Sequence, residues 1–128
     1  MHFAAFIQAG ESVQEPLKSY HNNCANAINL LSAMMDLDIR KFIFSSTAAV
    51  YGHSKQVPIM ESEPVNPINP YGWSKALVEK VLADSSIVKD FRYIAHRYFN
   101  AAGADPLSRI GERHNPETHL NPLILKAA

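Results

Sequence analysis

Lys41-Phe42-Ile43-Phe44-Ser45 is a short run of β-forming residues set between two long stretches whose apolar side chains recur at intervals of three and four. A short aromatic and β-branched run reads as a strand, and recurrence at three and four reads as a helix with one apolar face. The first helical stretch runs from Pro16 to about Leu37, through Leu17, Cys24, Ala27, Ile28, Leu31, Met34 and Met35, and Asp36 to Asp38 end it. The second runs from Tyr71 to about Val88 through Leu77, Val78, Val81 and Leu82, and a further strand, Arg92 to Tyr98, follows. Residues 1–7 read as the end of another strand, emptying into a Gly-containing loop at Gly10-Glu11-Ser12. Strand, helix, strand, helix, strand is the order of parallel βαβ units, so the predicted class is α/β. Pro58, Pro64, Pro67 and Pro70 make residues 52–70 an irregular surface excursion. Residues 100–119, with Gly103, Pro106, Gly111 and Pro116, read as loop, and a last helix is predicted from Asn121 to Ala128.

Composition narrows the function classes. The chain has 128 residues, 47% of them hydrophobic, which suits one globular unit with a core. Lys plus Arg equals Asp plus Glu at 12 each, and the charges are scattered, which argues against a nucleic-acid partner. Cys24 is the single cysteine, so no internal disulfide can form and a reducing compartment is the natural reading; its expected role is a small buried side chain. The N-terminus lacks a basic segment, and no stretch approaches the roughly 18 apolar residues of a membrane span. The chain therefore reads as soluble, cytoplasmic and without a membrane partner. The six histidines lack metal-ligand spacing; His114 and His119 are separated by Pro116, so no helix presents them together and no metal is predicted.

In a parallel α/β sheet, ligands sit outside the carboxyl ends of the strands. Three clusters fall at such ends: Ala4-Ala5 with the following loop, Ser45-Ser46-Thr47, and Tyr98-Phe99-Asn100. Tyr-x-x-x-Lys occurs twice, as Tyr51/Lys55 and Tyr71/Lys75. A spacing of four places side chains on one face only inside a helix. Tyr51 is followed by Gly52 in a loop-like stretch, whereas Tyr71 follows Pro70 and opens a helical segment, so the second pair is the candidate. A phenol has a reference pKa near 10, so a tyrosinate base near pH 7 requires about 3 units of lowering, roughly 4 kcal/mol, of which a neighbouring ammonium can supply much. Thr47 donates and accepts at once, so it can hold a substrate hydroxyl against Tyr71.

Several separate motifs carry a family resemblance: His2-Phe3-Ala4-Ala5, Gly10-Glu11-Ser12-Val13, Asn22-Asn23, the run from Phe42 to Gly52, Pro70-Tyr71-Gly72-Trp73-Ser74-Lys75, and the run from Arg97 to Ala104. Over nearly its whole length the chain resembles the middle section of the UDP-glucose 4-epimerase family, a branch of the extended short-chain dehydrogenases/reductases. The resemblance implies a partial doubly wound parallel-sheet (Rossmann-type) domain, lacking its first βαβ unit and the C-terminal substrate domain. Residues 1–128 would be the central and C-terminal part of an NAD-binding domain, with 100–128 leading into the substrate-binding region. It implies NAD as cofactor and a UDP-sugar as substrate, epimerised through a 4-keto intermediate, and a homodimer in the full-length form.

Carried over residue by residue, Tyr71 is the base at the sugar 4-hydroxyl, Lys75 lowers its pKa and reaches the nicotinamide ribose, and Thr47 bridges substrate and Tyr71. Phe3, Ala4, Ala5 and Phe6 are implied to run beside the cofactor, with Asn22 and Phe99 also touching it, and Asn100 is implied to contact the nucleotide diphosphate. Two departures stand out: Ile7 replaces a Lys that some members carry near the cofactor, and none of the five glycines has the spacing of a pyrophosphate-binding turn. The expected result is a chain inactive by itself. Ala48 and Ala49 after Thr47 argue against a dehydratase or decarboxylase, which needs an added acid or base there. A non-enzymatic reading is an interaction module, using helices with Met34-Met35 and Leu77-Val81 either as a dimer face or as packing on the chain's own sheet.

Overall fold

β1 (Lys41–Thr47) and β2 (Arg92–Tyr98) pair in parallel, with Lys41 opposite Arg92 and Thr47 opposite Tyr98. The computed structural model describes residues 1–88, 90–111, 114, 115, 117 and 119–128; Pro116, one of the predicted loop's residues, lies outside them. Parallel strands cannot be joined by a tight turn. The crossover here is α4 (Pro70–Val88), which begins and ends where its periodicity predicts. The two strands have no stagger, so their carboxyl ends, Thr47 and Tyr98, finish side by side.

The predicted long helix starts at Pro16 and ends at Asp36 as α2 (Pro16–Tyr20), a π-helical turn (His21–Ala25) and α3 (Asn26–Asp36). Asp38, with φ of 59°, reverses the chain after it, as the aspartates at this point suggest. Two expectations for the N-terminal segment are corrected. Gly10 lies within a helix, α1 (Ala9–Gln14), and not in a loop. Glu11 sits in the first turn of α1, where a carboxylate is favoured, and joins Glu15 in holding Lys18. The strand expected over residues 1–7 is a single bridge, His2 to Phe44, with bonds to Ile43 and Ser45 of 2.9 and 3.1 Å. The next acceptor along β1, the Ser45 carbonyl, is taken by the Lys75 ammonium, and the N–H and C=O of Phe6 pair with the Asn23 side chain instead of a strand.

The core lies between β1 and the helices: Phe42 and Phe44 from β1, Ala27, Leu31 and Met34 from α3, Val78 and Leu82 from α4, and Phe91. Each of these side chains larger than alanine contributes about 1.5–3 kcal/mol by leaving water. Cys24, half-buried, Met35 and Val81 pack against this cluster. Met34-Met35 and Val81 therefore pack on the chain's own sheet, while Leu77 is exposed. Residues 52–69 hold no helix or strand, as the prolines require. Gly52 has φ of 64°, and a Cβ there would stand 2.1 Å from the Asn66 carbonyl oxygen. The last helix, α5 (Leu120–Ala127), buries none of its residues. Among the described residues no helix is long and apolar enough to cross a membrane.

Candidate active site

Thr47 ends β1, nearly buried, and its Oγ1 accepts the Ala49 N–H at 3.2 Å, which turns the chain into a 3₁₀ turn, Ala48–Tyr51. That turn meets the start of α4 closely: a Cβ on Gly72 would lie 2.7 Å from the Ala49 carbonyl oxygen. A glycine directly after Tyr71 is thus what lets the helix approach the strand end. Asn69 caps α4, its Oδ1 accepting the Gly72 N–H at 2.8 Å, and Pro70 occupies the first helical position. The Tyr71 N–H donates to Ser12 Oγ at 3.1 Å, and its carbonyl accepts the Ser74 hydroxyl at 2.7 Å. The backbone around the tyrosine is fixed from α1 and from its own helix.

Lys75 lies one turn further along α4 and is only 3% exposed. Its Nζ donates to the Ser45 carbonyl at 2.8 Å and sits 4.9 Å from the centre of the Phe44 ring. Burial lowers its pKa from 10.5 to about 8, because water no longer solvates the ammonium. A cation held there costs stability, an expense that a role in chemistry accounts for.

Thr47, Tyr71, Phe3, Phe99 and Asn100 face one cavity of about 630 Å³, joined by Ile7, Ser45, Ser46, His119 and Asn121. Of the residues singled out in the sequence, these are brought together, with Lys75 reaching the same strand end through Ser45. Ala4, Ala5, Phe6 and Asn22 do not line it. Phe6 faces Lys18, whose ammonium is 5.5 Å from the ring centre, and Asn22 donates to Asn23. A larger cavity of about 860 Å³ is lined by Tyr51, Glu79, Arg97 and Phe99, but holds neither Tyr71 nor Thr47. The twin pair Tyr51/Lys55 is excluded by its setting: Tyr51 is buried under Arg97, 4.7 Å from the guanidinium, and Lys55 is exposed outside any helix.

Two supports were not anticipated. Asn23, in the π-helical turn, accepts the Phe6 N–H at 2.8 Å, donates to the Phe6 carbonyl at 2.9 Å, and reaches Ser74 Oγ at 3.2 Å. One amide thereby ties the N-terminal segment to the first turn of α4. Replacing Asn23, itself buried, by Ala should destabilise the chain by about 1–2 kcal/mol through loss of these bonds, as read by urea denaturation. The second support is Glu79, which accepts from Ser46 and takes Arg97 through Nε and Nη2 at 3.1 and 2.7 Å. It joins α4 to the ends of both strands and raises the Arg97 pKa further. Its signal was present in the sequence, since Glu79 lies four residues after Lys75 on one helical face. His114 and His119, which sequence spacing kept apart, come together with ring centres 4.8 Å apart.

The model of the NAD dependent epimerase/dehydratase family matches residues 1–128. A UDP-glucose 4-epimerase from Lactobacillus helveticus is 52% identical over 128 residues, all of this chain and 39% of that protein. A solved UDP-glucose 4-epimerase superposes with a TM-score of 0.96 at 48% identity, over 99% of this chain and 39% of the other. The Brucella ovis UDP-glucose 4-epimerase in complex with NAD gives 0.92 at 48% identity, over 95% and 38%. The chain thus spans well under half the length of these relatives.

Proposed function

The chain belongs to the NAD dependent epimerase/dehydratase family, and from that premise we propose that it carries the proton-transfer centre of an NAD-dependent 4-epimerase acting on UDP-glucose and UDP-galactose. The observation that supports this most is the shared cavity, with Thr47 and Tyr71 on its wall, Phe99 and Asn100 beside them, and a buried ammonium, Lys75, one turn behind Tyr71. Its volume falls within the range of small-molecule sites.

The residues fit one end of the cofactor. Phe3 and Phe99 offer apolar walls, and Lys75, buried behind the wall with one of its three donors given to Ser45, would turn its others to a ribose. The pyrophosphate end finds no such match among the described residues, since Gly10 lies within α1 and not in a strand-to-helix turn. When bound, NAD supplies the oxidising equivalent for C4 and returns it. Tyr71 takes the proton from the sugar 4-hydroxyl, and Thr47 holds that hydroxyl by donating and accepting. Lys75 places positive charge near the phenol as it becomes an anion. For the epimer to form, the oxidised sugar would have to turn within the cavity and present its other face to the cofactor, and Tyr71 would then return the proton to its oxygen. Asn100 contacts the diphosphate.

Grafted in place of the matching segment of the Lactobacillus helveticus relative, these residues should support conversion of UDP-galactose into UDP-glucose, while the 128 residues alone with NAD should not. A folded chimera that retains NAD yet fails to turn over would sink the reading, as would robust turnover by the isolated chain for its predicted dependence on further sequence.

A further inference from the structure

Between β2 and α5, two imidazoles flank one carboxylate. His119 Nδ1 lies 2.9 Å from Glu117 Oε1, His114 Nδ1 lies 3.6 Å from Glu117 Oε2, and the two rings are inclined at 56°. One ligand atom from each of the three residues lies within 4.8 Å of the other two. We propose that His114, Glu117 and His119 form a binding site for a divalent transition-metal ion of the zinc type. The proposal does not rest on the epimerase reading.

Geometry and donor chemistry both favour it. A tetrahedral ion with nitrogen and oxygen ligands at about 2.0–2.1 Å sets its ligand atoms about 3.4 Å apart. The His114 Nδ1–Glu117 Oε2 separation of 3.6 Å is close to that value and the whole set lies within 4.8 Å, so rotation of these side chains closes it around an ion. Two imidazoles and a carboxylate suit zinc, cobalt or nickel and leave a coordination position open, whereas calcium and magnesium favour all-oxygen sets. The carboxylate is already oriented: the His119 N–H donates to Glu117 Oε1 at 2.8 Å, so Oε2 can turn to an ion while Oε1 keeps that bond. The same carboxylate counters the partial positive charge at the start of α5, where His119 is the N-cap. The His114 and His119 side chains are 46% and 36% exposed, so an ion reaches the cluster from solvent. His119 also lines the cavity with Thr47 and Asn100, which sets the ion at the rim of that cavity.

The test uses the whole 128-residue chain and zinc chloride in a buffer that does not chelate. Calorimetry should give one ion per chain, and the histidine ring resonances of His114 and His119 should move while those of His2, His21, His53 and His96 stay. EDTA should reverse the change, and cobalt should give the visible bands of a four- or five-coordinate site. Glu117→Gln and His114→Ala, both checked for an unchanged circular dichroism spectrum, should each weaken binding at least tenfold, since even the outer partners of metal ligands are worth about 10–100-fold. Equal affinity in the parent chain and both variants, or shifts spread over all six histidines, would mean an adventitious ion only and overturn the proposal.

Discussion

Replacing Tyr71 by Phe in a chimera that carries this segment is expected to lower kcat by about 10²–10⁴-fold, the usual contribution of a positioned general base. KM and NAD retention should change little. The reason lies in how Tyr71 is held: its N–H is bonded to Ser12 and its carbonyl to Ser74, both through the backbone. Loss of the phenol oxygen therefore leaves α4 in place and removes only the group that takes the proton. Tyr51→Phe is the control, because its ring packs under Arg97 and its partner Lys55 is exposed. That variant should leave kcat within a few-fold. Steady-state kinetics of the two variants side by side check the assignment, and equal losses would remove Tyr71 from its role.

What could be read from the chain depended on how local the determining interaction is. β1, α4 and β2 were legible because their apolar periodicity is set by one buried face, and that face is the core of Phe44, Val78 and Leu82. Strand-end placement of Thr47, Phe99 and Asn100, with Tyr71 opening α4 beside them, then carried all four to one cavity. The segment from Phe3 to Gly10 was not legible, since its path is decided by side chains far away in sequence: Lys75 takes the Ser45 carbonyl beside the His2 bridge, and Asn23 captures both polar groups of Phe6. The same capture accompanies a Phe6 ring packed under the Lys18 ammonium, outside the cavity lined by Thr47 and Tyr71. Of the two adjacent asparagines, the sequence drew attention to Asn22, yet only Asn23 is buried and bonded across elements. Adjacent identical residues on a helix differ by about a 100° rotation, and the π-helical turn sets which one points inward.

Lys75→Met should make the isolated chain more stable at pH 7. The folded-state pKa of Lys75 is lowered from 10.5 to about 8 by burial. Between these values the unfolded chain still holds a proton that the folded chain has released, so stability rises with pH across the window from about 8 to 10.5 and is flat on either side of it. The difference of about 2.5 units, at about 1.4 kcal/mol each, is about 3 kcal/mol. Below pH 8 the native chain carries the full penalty of a buried charge. Methionine keeps an unbranched apolar stem of similar length and removes the charge, but leaves the half-buried Ser45 carbonyl without its donor, which returns about 1 kcal/mol. The net gain expected at pH 7 is about 2 kcal/mol, and the parent chain should overtake the variant towards pH 10.5. Urea denaturation of both proteins at pH 7 and pH 10 reads the difference, in which other titrating groups cancel. Parallel stabilities at the two pH values would show that the ammonium is not desolvated. A crossing would show that this chain sacrifices stability at neutral pH to keep a cation one turn behind Tyr71, which is the expense a proton-transfer site requires and a structural lysine does not.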